Sequence, residues 1–250
     1  MATFYTDTTA SVAGQSLYVT SANLSATRDY QAVRAIGYKG VLGMVPSGPP
    51  GGSASFDFTG GGPSQASVNI EAPVDVDIGG AGGDAYIESM SVTVEPNQVS
   101  SGSMGFVFFE PPSTVAVGGG GAVSNKGSTI FDGGHGAGSS ITGTAAGQRA
   151  EYSYNGSWDA IYKIGSFCPV FKYRQEASES LSVEGDGISI GIDSCDTNCP
   201  GAETLTFTLG SLCDGNKQTY TVTGFATEMS VSVSTDGILS GNASVTKWLA

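Results

Sequence analysis

Residues 90–109 read MSVTVEPNQVSSGSMGFVFF, and residues 229–248 read MSVSVSTDGILSGNASVTKW. Aligned without a gap, the two strings share Met, Ser, Val, Val, Ser and Gly at six positions. Thr93 faces Ser232, Asn97 faces Asp236 and Val99 faces Ile238, so the character of three further positions is kept. Each string is a period-2 strand, a polar turn and a second strand that opens on Ser-Gly. The same offset lays ASVNI (residues 66–70) over LTFTL (residues 205–209), both alternating in phase. A repeat of this length defines the unit that must fold, here a β-rich module present twice.

Composition agrees with that unit. The chain has 250 residues, of which 39% are apolar and 13% charged, with 38 glycines. Glycine for positive-φ turns and Val or Thr for pleated surfaces predict an all-β protein. The expected organisation is a first β module over 1–112, a Gly-rich linker or exposed loop over 113–148 and a second β module over 149–250. Segments 29–36 (DYQAVRAI) and 173–180 (YRQEASES) are expected as short flanking helices. Strands are expected at 16–20, 53–58, 181–183, 188–192, 205–209 and 220–223. The last hairpin is expected to turn at Thr235-Asp236-Gly237, since Asp-Gly suits a tight turn.

The formal charge of −13 comes from 23 acidic and 10 basic residues, and the basic ones form no cluster. A phosphate backbone is gripped by Lys and Arg in a patch or stripe, which this sequence lacks. The N-terminal residues have neither a basic start nor an apolar core, so no secretory leader is expected and synthesis in the cytoplasm is. No apolar run is long enough to span a bilayer, and no membrane partner is expected.

Catalytic constellations are also missing. His135, the single histidine, stands in Asp132-Gly-Gly-His-Gly136, a poor place to orient a general base. The run from Gly80 to Ala85 superficially matches a dinucleotide fingerprint, but AYIESMSVTV alternates as a strand where a helix is required. Cys195, Cys199 and Cys213 lack the paired spacing of zinc sites; with Cys168 they are expected as reduced thiols, the alternative being a disulfide among the three. Glu184, Asp186, Asp193, Asp196 and Asn198 do not follow calcium-loop spacing and are expected at strand ends. With two tryptophans, Trp158 and Trp248, a carbohydrate-active site is a weaker expectation. No catalytic, cofactor-binding or metal residue is assigned, and no enzyme is expected.

With both hairpins in view, a resemblance emerges. Residues 221–225 (TVTGF), 228–233 (EMSVSV) and 237–245 (GILSGNASV) resemble the closing strands of the tail tube proteins of long-tailed bacteriophages. Residues 88–108 resemble the same ending in a first copy, and LYVTSANLSATRDYQ resembles the opening strands. The resemblance covers about half the chain. It implies two tandem β-sandwich or barrel-like modules with short flanking helices. It further implies self-association into trimeric, pseudo-hexameric rings stacked as a tube in the virion tail. Other tail proteins would be partners, and DNA would pass the acidic lumen without specific binding. The alternative is a receptor-binding adhesin, with the Gly-rich segment as recognition loop, or another neck, tail-tip or capsid-decorating protein.

Overall fold

A computed structural model describes residues 10–65, 68–112, 131–132, 140–141, 146–186, 188, 201–211, 216–233 and 239–249. Fifteen strands run through these residues. In the first half they are β1 (Ala10–Val12), β2 (Gln15–Thr27), β3 (Tyr30–Val33), β4 (Gly43–Pro46), β5 (Gly51–Thr59), β6 (Val74–Ile78), β7 (Ala81–Val94) and β8 (Ser101–Phe108). The rest are β9 (Phe131–Asp132), β10 (Ser140–Ile141), β11 (Ala146–Tyr162), β12 (Pro169–Asp186), β13 (Glu203–Ser211), β14 (Lys217–Val233) and β15 (Leu239–Leu249). Among the described residues there is no helix.

Alternation decides which side of each strand is buried. In β5, Ala54, Phe56 and Phe58 point inward while Ser53, Ser55 and Asp57 are exposed. β7 and β8 do the same with Met90, Val92 and Val94 and with Met104, Phe106 and Phe108. Six pairings close a barrel: β1 with β2, β2 with β5, β5 with β8, β8 with β7, β7 with β6 and β6 with β1. The β1–β2 turn needs two positive-φ residues, and Ala13 (φ 52°) and Gly14 (φ 75°) supply them, as a primed hairpin turn requires. All-antiparallel pairing also joins β14, β15, β12, β11, β7, β8, β5 and β2, in that order, as one eight-stranded sheet.

The two halves are built alike. Order β2-β5-β8-β7-β6 in the first is matched by β11-β12-β15-β14-β13 in the second. Register matches too. Met90 opposes Met104 as Met229 opposes Ala243, and Val92 opposes Gly102 as Val231 opposes Gly241. Both hairpins carry a register shift at the equivalent place, between Ile87 and Ser89 and between Ala226 and Glu228. A second shared shift falls between Val19 and Ser21 in β2 and between Gly147 and Arg149 in β11. Bulges re-aim strands at fixed positions, so two coincident bulges are strong markers of a repeated unit. β3 and β4 are extra to the first half, inserted between β2 and β5.

Several expectations are corrected. Both proposed helices are strands: residues 30–33 form β3, and residues 173–180 lie inside β12, paired with β11 on one side and, from Ala177, with β15 on the other. Eight-residue segments are too short to nucleate helices alone, and the strands they pair with, β4 for β3 and β11 and β15 for β12, outweigh propensity. Within 66–70, Ala66 and Ser67 lie outside the described residues, and Val68 and Ile70 sit in turns, both packed into the core. The counterpart of β13 is β6, because Val76 opposes Gly83 as Leu205 opposes Val222. The strands expected at 16–20, 53–58, 181–183, 205–209 and 220–223 are present, while 189–192 and 234–238 lie outside the described residues. From the Gly-rich segment, β9 and β10 pair with β13.

Equivalent positions differ in burial, which gives a test. Val92 is fully buried whereas Val231 is 62% exposed. Val92→Ala should lower the unfolding free energy by about 1–3 kcal/mol. Val231→Ala, in dilute single chains, should change it by no more than about 0.5 kcal/mol, read by urea denaturation.

Candidate functional site

Over most of the eight-stranded sheet, short of the exposed residues 228–233 of β14, one face is packed on the core; the other is lined with small hydroxyls. Cross-strand pairs run along it. Ser25 and Ser53 oxygens are 2.8 Å apart, Ser91 and Ser103 3.0 Å, Ser153 and Ser180 2.7 Å, Ser182 and Ser244 3.1 Å, and Ser232 and Ser240 2.8 Å. Ser230 donates to Asn242 Oδ1 in the same row. Each pair satisfies two hydroxyls laterally, as facing Ser and Thr side chains do in sheets. Asp57, Glu151, Glu184 and Glu228 share this face with Arg149, whose guanidinium is held 2.9 Å from Glu151 Oε2. The described side chains make it a low, polar, net-acidic wall.

Behind this wall the Gln65 side chain helps to lock the halves together. Gln65 Nε2 donates to the Thr221 carbonyl at 3.0 Å and to Glu179 Oε1 at 3.3 Å, while Gln65 Oε1 accepts from the Thr221 N–H at 2.9 Å. The amide thus pairs with β14 as a strand residue would. Glu179, 5% exposed, also accepts from the Tyr152 hydroxyl at 2.9 Å and lies 3.7 Å from Lys247 Nζ. A buried carboxylate needs such partners to persist. Burial first, and the Glu179 charge second, push the Tyr152 phenol far above its ordinary range. A cavity of about 60 Å³ borders Gln65, Met90, Tyr152 and Glu179, large enough for water and too small for an organic substrate. Trp158 secures the same junction by donating from Nε1 to the Ile87 carbonyl at 2.9 Å.

Two apolar arms extend from the strands equivalent to one another in the repeat. In the first half, the stretch between β2 and β5 exposes Tyr30, Ile36, Tyr38, Leu42 and Met44. In the second, the ends of β11 and β12 and the loop between them expose Ile161, Ile164, Phe167, Val170 and Phe171. Arg28 links them, its guanidinium 5.9 Å from the Tyr30 ring centre and 5.5 Å from that of Phe167. Clustered exposure of large apolar residues marks a contact surface. Nothing in the strand alternation announced these arms; the cue was the loss of alternation in AIGYKGVLGM.

His135, Cys195, Cys199, Cys213, Asp193, Asp196 and Asn198 lie outside the described residues. Cys168 is exposed, Glu184 is on the hydroxyl-lined face and Asp186 ends β12. The run from Gly80 passes through a turn into β7, so it starts a strand and not a nucleotide-binding helix. Among the described residues no three His, Cys, Asp or Glu side chains gather as a metal site, and no helix is long and apolar enough to cross a membrane. The class defined here is an all-β protein with a six-stranded barrel and an extended second half of the same strand order. Comparison with known protein families and with curated proteins finds no match.

Tyr220, fully buried, donates to the Pro63 carbonyl at 3.2 Å, and burial raises its pKa well beyond the ordinary range. The folded chain therefore keeps this proton where the unfolded chain releases it. Stability should fall as pH rises above about 10, by about 1.4 kcal/mol per pH unit for each such tyrosine. Tyr220→Phe should flatten that alkaline slope by about one tyrosine's share in denaturation series between pH 9 and 11.5; an unchanged slope contradicts the assignment.

Proposed function

We propose that this chain is a virion structural protein, a tail tube subunit of a long-tailed bacteriophage. Three copies would form a pseudo-sixfold ring, and rings would stack into a conduit for DNA. The supporting observation is the hydroxyl-lined sheet, assembled from two four-stranded units of like order and register. Three such sheets would give a barrel of about 24 strands, and at about 4.8 Å per strand its backbone radius is about 18 Å before tilt. Barrels of 16–18 strands already enclose an aqueous channel, so this one has room for a duplex.

The wall suits the task. Its hydroxyls are turned towards one another, its carboxylates repel phosphate, and its arginine is engaged by Glu151. Such a surface lets a polyanion slide without a site to stop at. The two apolar arms of each chain are the contacts for neighbouring rings or other tail proteins.

Negative-stain microscopy of concentrated protein should reveal rings of six lobes and short tubes. Isolated monomers at every concentration and salt would contradict the reading. Fluorescence anisotropy with a labelled duplex should detect no binding even at about 50 mM salt, where phosphate-gripping proteins are at their tightest. Binding with a steep salt dependence would overturn the conduit role. Host-cell binding by a monomer would favour the adhesin alternative.

A further inference from the structure

The eight-stranded sheet ends on two strand edges, and the chain itself contains the junction that would join them. Within the molecule the halves meet where β7 pairs with β11, Val94 opposite Ala150, Val92 opposite Tyr152 and Ser89 opposite Asn155. By the shared register, residues 89–94 of β7 correspond to residues 228–233 of β14, and residues 150–155 of β11 correspond to residues 22–27 of β2. Neither of these counterpart edges meets another strand among the described residues. All six residues of the β14 segment are exposed, and four of the six in the β2 segment are. Open edges of this length are templates for pairing with another chain.

We infer that copies of this chain join head to tail, residues 228–233 of one pairing antiparallel with residues 22–27 of the next, in the register of the internal junction. Val231 then lies opposite Leu24, Ser232 opposite Asn23 and Met229 opposite Ala26. The polar side repeats the internal pattern as well: Ser25 comes opposite Ser230, as Ser153 stands opposite Ser91. Each interface uses two different edges, so it is heterologous, and the same step taken repeatedly closes a ring if its rotation permits. The inference stands on the repeat alone and is independent of what passes through the ring.

Cysteine pairs test it. Adjacent cross-strand pairs alternate between Cα separations of about 4.5 and 5.5 Å, both within disulfide reach. The double variants Asn23→Cys/Ser232→Cys and Leu24→Cys/Val231→Cys should, on mild oxidation, give a ladder of chain multiples on non-reducing gels. Each single variant controls for the native cysteines and should give none of it. Mixing the Asn23→Cys and Ser232→Cys single variants should give linked dimers and nothing larger, which only a head-to-tail contact does. Asn23→Cys/Ser230→Cys, out of register, should remain unlinked. Multimers by light scattering with no pair-specific crosslink would overturn the proposal, and so would monomers that never crosslink. Linked rings that form no tubes would sustain the junction and sink the tube reading.

Discussion

Six residue pairs between β7 and β11, from Ala150 opposite Val94 to Asn155 opposite Ser89, join the two halves in one sheet. Everything else is arranged around that seam. It turns the end of one repeat into the beginning of the other, so the core is a single cluster running from Ala10 to Val245. Gln65 reinforces it from behind, its amide completing the hydrogen bonds of Thr221 where no strand reaches. Backbone groups left open there would cost about as much as a lost hydrogen bond each.

The seam also explains the side chains. A sheet with one face on a core and one on a polar space must alternate strictly, and a single-residue slip would invert both faces. Ser and Thr on the outer face keep it low and satisfy each other laterally, while Phe56, Phe58, Phe106 and Phe108 fill the barrel. Gly102 belongs to this scheme: a Cβ there would strike the Phe58 ring and the Ser91 carbonyl. Its counterpart Gly241 is kept although Gly185 stands in the place of Phe58, since the Ser230 carbonyl still lies close.

Much of this was legible in the sequence, and for definite reasons. The hairpin repeat was visible because its apolar positions and its Ser-Gly opening are fixed by register, and the structure reproduces both pairings and bulges. Asn97, matched with Asp236 in sequence, takes a positive φ of 61°, the conformation that Asn and Asp tolerate best. The helices at 29–36 and 173–180 were misread because short mixed segments have no decisive period, and partners in space chose for them. Val68 and Ile70 were misread for the converse reason: two apolar residues plugging a core alternate just as strand residues do. The Gln65–Glu179–Tyr152 cluster brings Gln65 to residues more than eighty positions away and has no local signature.

The proposal that binds these observations together is that chains built from two like halves join head to tail and close into a ring. Native mass spectrometry of the smallest stable assembly tests it most directly. A ring of three chains gives a species of three chains' mass, with larger species in multiples of three. A stable dimer, or an open series with no preferred size, would contradict it.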